Sequence, residues 1–109
     1  MVHVRNKGRD GRAEFVRMLG DRDWSVDKTY DGIISDDLVV TDPDGKGWSV
    51  EVKNTRMIDN SNAASSHKTQ AKRQAKERGM PWILASKIFG SRYWLIQFQG
   101  KKPQVWERK

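Results

Sequence analysis

The run LVVTDPDGKGWSVEVK at residues 38–53 decides how the rest of the chain is read. Residues 38–41 are rich in β-branched side chains. Asp42-Pro43-Asp44-Gly45 is turn chemistry in which proline presets φ and glycine tolerates a positive one, and residues 48–53 alternate apolar with polar. This pattern predicts a β-hairpin. Side chains reverse at every residue of a strand, so Trp48, Val50 and Val52 share one face while Ser49, Glu51 and Lys53 share the other. Glu51 and Lys53 are therefore neighbours. Asp37, separated from Glu51 by thirteen residues, lies at the start of the opposing strand.

Working outward, residues 11–20 predict a short helix with Phe15, Met18 and Leu19 at i, i+3, i+4 spacing and Gly20 at its end. Residues 24–26 predict a first strand, and residues 30–35, with Gly32, a flexible connection. Beyond the hairpin, residues 60–66 are polar, with 63–66 leading into a helix over 67–78 that Gly79 closes and Pro81 follows. Lys68, Lys72 and Lys76 make a basic stripe on that helix. Ala64, Ala71 and Ala75 offer a small-residue face that can lie close on a sheet. Strands over 82–87 and 93–98 follow, the second leading into a polar turn at 100–103. The order αβββαββ predicts an α/β fold with a mixed sheet flanked by helices, because the strand after the long helix can return parallel.

A chain of 109 residues accommodates one domain, residues 1–109, and with 36% hydrophobic residues its core is thin. No uncharged run exceeds eight residues, against the roughly 20 apolar residues of a membrane helix, so no membrane association is expected. The basic N-terminal stretch has no apolar segment behind it, and there are no cysteines for disulfides or thiolate metal sites. A cytoplasmic location is the simplest expectation.

The net charge is +7, pointing to a polyanionic partner. Its distribution is uneven: residues 21–51 hold nine acids and three bases, a local balance of −6 that leaves +13 elsewhere. Carboxylates inside a phosphate-binding surface repel the ligand unless a cation stands between them. Two carboxylates on paired strands, Asp37 and Glu51, can share one Mg²⁺, a hard ion that takes oxygen ligands and keeps several waters. Lys53, on the same face, could orient the attacking water and offset charge on a phosphate. That chemistry is metal-assisted phosphodiester hydrolysis. The plainer alternative is a strand face decorated with a Glu-Lys pair, which is common on half-buried strands.

These residues also resemble a family. Lys7-Gly8 opening a helix that contains Glu14, then Asp37-Leu38-Val39, then Val50-Glu51-Val52-Lys53, are similar to the PD-(D/E)XK nucleases and, among them, to the archaeal-type Holliday junction resolvases. Residues 79–87 and 93–96 resemble the segment those enzymes carry after their second core helix. The resemblance implies a restriction-endonuclease-like αβββαβ core and a homodimer that makes paired, Mg²⁺-dependent nicks in branched DNA, Mn²⁺ being able to substitute. It implies Asp37, Glu51, Val52 and Glu14 as metal residues and Glu14, Asp37, Glu51 and Lys53 as the catalytic set. Two positions depart from the family pattern. Arg12 stands where the family places its helix glutamate, leaving Glu14 or Asp10 for that role, and Asp36 rather than proline precedes Asp37, leaving the register of the two aspartates open. Such resolvases also occur in bacteriophages, in which case the location is the host cytoplasm.

DNA contacts are expected from the arm Arg5, Lys7, Arg9 and Arg12, from Lys68, Lys72, Arg73 and Lys76 on the second helix, and from Lys87. Selectivity would come from shape, since phosphate contacts position a protein without reading bases. Gln70 lies near where many related nucleases carry a supporting glutamine, whereas His67, with only His3 as company, is not expected to be catalytic. The five tryptophans are expected in the core and at dimer contacts rather than stacked on bases. Two other functions remain: a PD-(D/E)XK nuclease acting on duplex or flap DNA, and a non-catalytic basic protein that coats DNA.

Overall fold

A computed structural model describes residues 6–30, 36–54, 61–88 and 91–108, with side chains over 11–29, 37–53, 67–88 and 91–108. The elements are α1 (Asn6–Asp21), β1 (Ser25–Tyr30), β2 (Asp36–Thr41), β3 (Gly47–Asn54), α2 (Ser61–Arg78), β4 (Trp82–Lys87), β5 (Tyr93–Phe98) and β6 (Gln104–Glu107). The six strands form one sheet in chain order. Neighbours are antiparallel except β3 and β4, which are parallel because α2 carries the chain back between them. The α/β class, a mixed sheet flanked by two helices, agrees with the sequence reading.

Several boundaries differ from it. Helix α1 begins at Asn6 and α2 at Ser61, both ahead of any apolar periodicity that could announce them. Strand β1 runs to Tyr30, and a register shift between Val26 and Lys28 interrupts its ladder with β2. Strand β6 had no counterpart in the sequence reading; among its residues only Trp106 is buried.

The hairpin turn is held by one side chain. The Asp42 carboxylate accepts hydrogen bonds from the backbone N–H groups of Asp44 (2.9 Å) and Lys46 (2.8 Å) and from the Trp48 indole N–H (3.0 Å). Gly45 takes φ +90°, a value that favours glycine. The turn thereby fixes the β2–β3 register, on which the placement of Asp37 against Glu51 depends.

The two faces of the sheet differ in chemistry. On one, Phe15, Met18 and Leu19 of α1 pack on Leu38, Val40, Trp48, Val50, Val52, Ile83, Ala85, Trp94, Ile96, Phe98 and Trp106. The Phe15 ring lies 5.4 Å from that of Trp94 and 6.0 Å from that of Trp106. Trp48, Trp94 and Trp106 are thus core residues, with Trp24 packed at the margin. Under α2 the apolar cluster shrinks to Ala71, Ala75, Trp82 and Leu84. Alanines let the helix approach the sheet closely, and the same face carries the polar side chains of Asp37, Ser49, Glu51 and Lys53.

Candidate active site

Asp37 and Glu51 are direct partners across β2 and β3. In this register their side chains leave the same face as near neighbours, which an antiparallel pair brings to about 5 Å at Cβ. Asp36 is paired with Val52, one step out of phase. Lys53 follows Glu51 on the same face, and its Nζ stands 3.2 Å from Glu51 Oε1. All three are buried, Asp37 at 6% exposure, Glu51 at 1% and Lys53 at 9%. Charged residues are rarely buried to this degree unless paired.

Helix α2 completes the layer. Among its described side chains the half-buried or buried ones are His67, Lys68, Gln70, Ala71, Gln74, Ala75 and Arg78, and those at 67, 70/71, 74/75 and 78 follow helical spacing. Arg78, in the last turn, donates from Nη2 to Asp37 Oδ2 in a charge-assisted hydrogen bond and from Nη1 to Ser49 Oγ at 2.9 Å. Each carboxylate of the pair therefore faces a base, Asp37 with Arg78 and Glu51 with Lys53. His67 is half-buried near Lys53, and burial, reinforced by that ammonium, lowers its pKa from 6.5. The imidazole is therefore neutral at neutral pH. Gln74 Oε1 is buried without a hydrogen-bond partner.

Sequence reasoning missed Arg78, Ser49 and Gln74. Ser49 shares the Glu51–Lys53 parity and could have been included on that ground. Nothing local marks Arg78, because its partner lies 41 residues away.

Glu14 lies elsewhere, and its expected place in the metal and catalytic set is corrected. It belongs to the α1 side of the sheet, adjacent in sequence to Phe15 of the main core, while Asp37 and Glu51 alternate out of phase with the residues of that core. At 5% exposure it accepts hydrogen bonds from the Trp94 indole N–H (2.7 Å), Arg108 Nη1 (3.0 Å) and Lys87 Nζ (3.2 Å). Burial pushes its carboxyl upward, but these three donors together outweigh burial and hold the pKa below 4.5. Glu14 is a structural hub. Lys87 is bound into that hub, with its side chain 19% exposed. Val52 turns its side chain into the α1 core, which leaves only its backbone on the level of the site.

Along α2, Lys72, Arg73 and Lys76 are exposed. Lys68 and Lys72 stand over the Trp82 ring at 5.5 and 5.8 Å from its centroid. Arg12 is half-buried on α1. Arg5 lies outside the described residues, as do the side chains of Lys7, Arg9, Asp10 and Asp36.

Among the described residues, no three His, Asp or Glu side chains cluster in a way that could hold a metal. The donor set fits Mg²⁺ as a two-carboxylate site: Asp37 and Glu51 offer hard oxygens from adjacent strands, and water can complete a shell that Mg²⁺ keeps partly hydrated in any case. Among the described residues, no helix is long and apolar enough to cross a membrane. Comparison with protein-family models, with curated proteins and with solved structures returns no match.

Proposed function

We propose that the chain is a Mg²⁺-dependent endonuclease with a restriction-endonuclease-like core, acting as a symmetric dimer on four-way DNA junctions in the cytoplasm. The observation that carries this reading is the direct cross-strand pairing of Asp37 with Glu51, with Lys53 two residues on and on the same buried face. Such a layer is costly. A domain of this size loses stability by burying two acids and a base, with a second base half-buried beside them, where apolar side chains would pack, and buried ionisable clusters of this kind concentrate at functional sites. When bound, Mg²⁺ would polarise a phosphoryl oxygen and acidify a coordinated water. Asp37 and Glu51 would hold the ion, and Lys53 Nζ would orient the nucleophilic water and offset charge developing on the phosphate. The α2 bases Lys68, Lys72, Arg73 and Lys76 would grip the DNA backbone. A dimer with two-fold symmetry would present two equivalent sites to the two equivalent strands of a junction.

A second reading, a basic DNA-binding protein without catalysis, is favoured by the pairing of both carboxylates with bases. Initial cleavage rates on a four-way junction and on linear duplex of the same sequence, in Mg²⁺, separate the possibilities. Junction cleavage faster by about tenfold or more, equivalent to ~1.4 kcal/mol of selectivity, is expected. Equal rates would replace the junction substrate with duplex, and DNA binding without cleavage in Mg²⁺ or Mn²⁺ would support the second reading.

A further inference from the structure

Among the described residues, Arg78 is an ion-pair partner of Asp37 to which the nuclease chemistry above gives no role. Its guanidinium bridges the Asp37 carboxylate on β2 and the Ser49 hydroxyl on β3, and its side chain is 19% exposed, near the edge of the buried layer. Being in the last turn of α2, it also sits where a cation is favoured by the helix dipole. The four groups Asp37, Glu51, Lys53 and Arg78 sum to zero formal charge. A divalent cation arriving with Arg78 still in contact would bring two positive charges against a carboxylate oxygen that a guanidinium already holds. Both cannot share Asp37 Oδ2 at full strength.

We propose that Arg78 is an internal counter-ion that a divalent cation displaces from Asp37, so that it acts as a positioning residue setting the metal concentration at which the site fills. This rests on the two-carboxylate metal reading of the same site. Displacement has a consequence for the substrate: with the cation bound, the set carries a net charge of +2, which complements a phosphodiester, whereas without it the set offers a phosphate no net attraction. Ser49 is part of the device, because its hydroxyl holds the guanidinium in the orientation that reaches Asp37.

The test is Mn²⁺ binding to the DNA-free protein, read from the electron paramagnetic resonance signal of free Mn²⁺ during titration. Arg78→Gln should bind Mn²⁺ about tenfold or more tightly than the wild type, since a unit charge in direct contact with the ligand oxygen has gone. Arg78→Lys should return affinity toward the wild-type value, and Ser49→Ala, which loosens only the second anchor, should tighten binding by a smaller factor, about two- to threefold by loss of one hydrogen bond. Asp37→Asn should abolish tight binding. Affinity unchanged or weakened in Arg78→Gln, with binding still lost in Asp37→Asn, would overturn the role of Arg78 while leaving the metal site intact. No Mn²⁺ binding by any variant would instead remove the metal reading on which the inference rests. Should Arg78→Gln fail to fold, Ser49→Ala decides: unchanged Mn²⁺ affinity overturns the inference.

Discussion

Glu51→Gln is expected to reduce Mg²⁺-dependent DNA cleavage by about a thousandfold or more, the scale of losing several kcal/mol of metal-based transition-state stabilisation. The substitution keeps the shape of the side chain and removes its charge. Glu51 is 1% exposed and stands 3.2 Å from Lys53 Nζ, so the variant loses the counter-charge of that ammonium and, on the proposed reading, one of two metal ligands. DNA affinity measured without metal should hold or rise, because a buried negative charge that would repel a phosphate placed at the proposed site has gone. Circular dichroism establishes that the variant is folded. Retention of wild-type cleavage by a folded Glu51→Gln protein would make the Asp37–Glu51 pair a structural feature and assign the hydrolysis elsewhere.

The largest effect on stability is expected on the other face of the sheet. Trp94 is fully buried, packs on Phe15 and donates to Glu14 at 2.7 Å. Trp94→Ala should cost about 4 kcal/mol or more in urea unfolding, the range for emptying an aromatic site in a core, with the weakened Glu14 hub added to it. Trp94→Phe keeps much of the packing and loses the donor, so about 1–3 kcal/mol is expected. The same hub sets an acid limit. The pKa of Glu14 is lowered in the folded state, so its stabilising effect is complete above the ordinary value of 4.5 and is lost as pH falls through the lower folded value. Glu14→Gln should therefore be less stable than the wild type at neutral pH and should lose less stability on acidification below 4.5. Parallel pH dependences for the two proteins would contradict this account of Glu14.

The legible parts of the molecule were those written in local pattern. The turn chemistry of residues 42–45 and the alternation of 48–53 place the hairpin and the parity of Asp37, Glu51 and Lys53, while the apolar runs at 82–87 and 93–98 match β4 and β5. Strand β6 was not legible, because an edge strand with one buried residue has no alternation to read. The register between Asp36 and Asp37 was open in the sequence and is set by β2–β3 pairing. The partners of Glu14 could not be read at all: Trp94 lies 80 residues away and Arg108 94 residues away, and nothing near Glu14 indicates that its side chain belongs to the α1 face. Arg78 was hidden for the same reason, since a terminal helix arginine resembles any solvated C-terminal charge until α2 is laid across β3.

Whether a divalent ion sits between Asp37 and Glu51 can be read from anomalous diffraction of wild-type crystals soaked in Mn²⁺. A single strong anomalous peak is expected between the carboxylates of Asp37 and Glu51, within coordination distance of both, with the Arg78 guanidinium moved off Asp37. Empty density there at a Mn²⁺ concentration that supports DNA cleavage, or a peak on other residues, would contradict it.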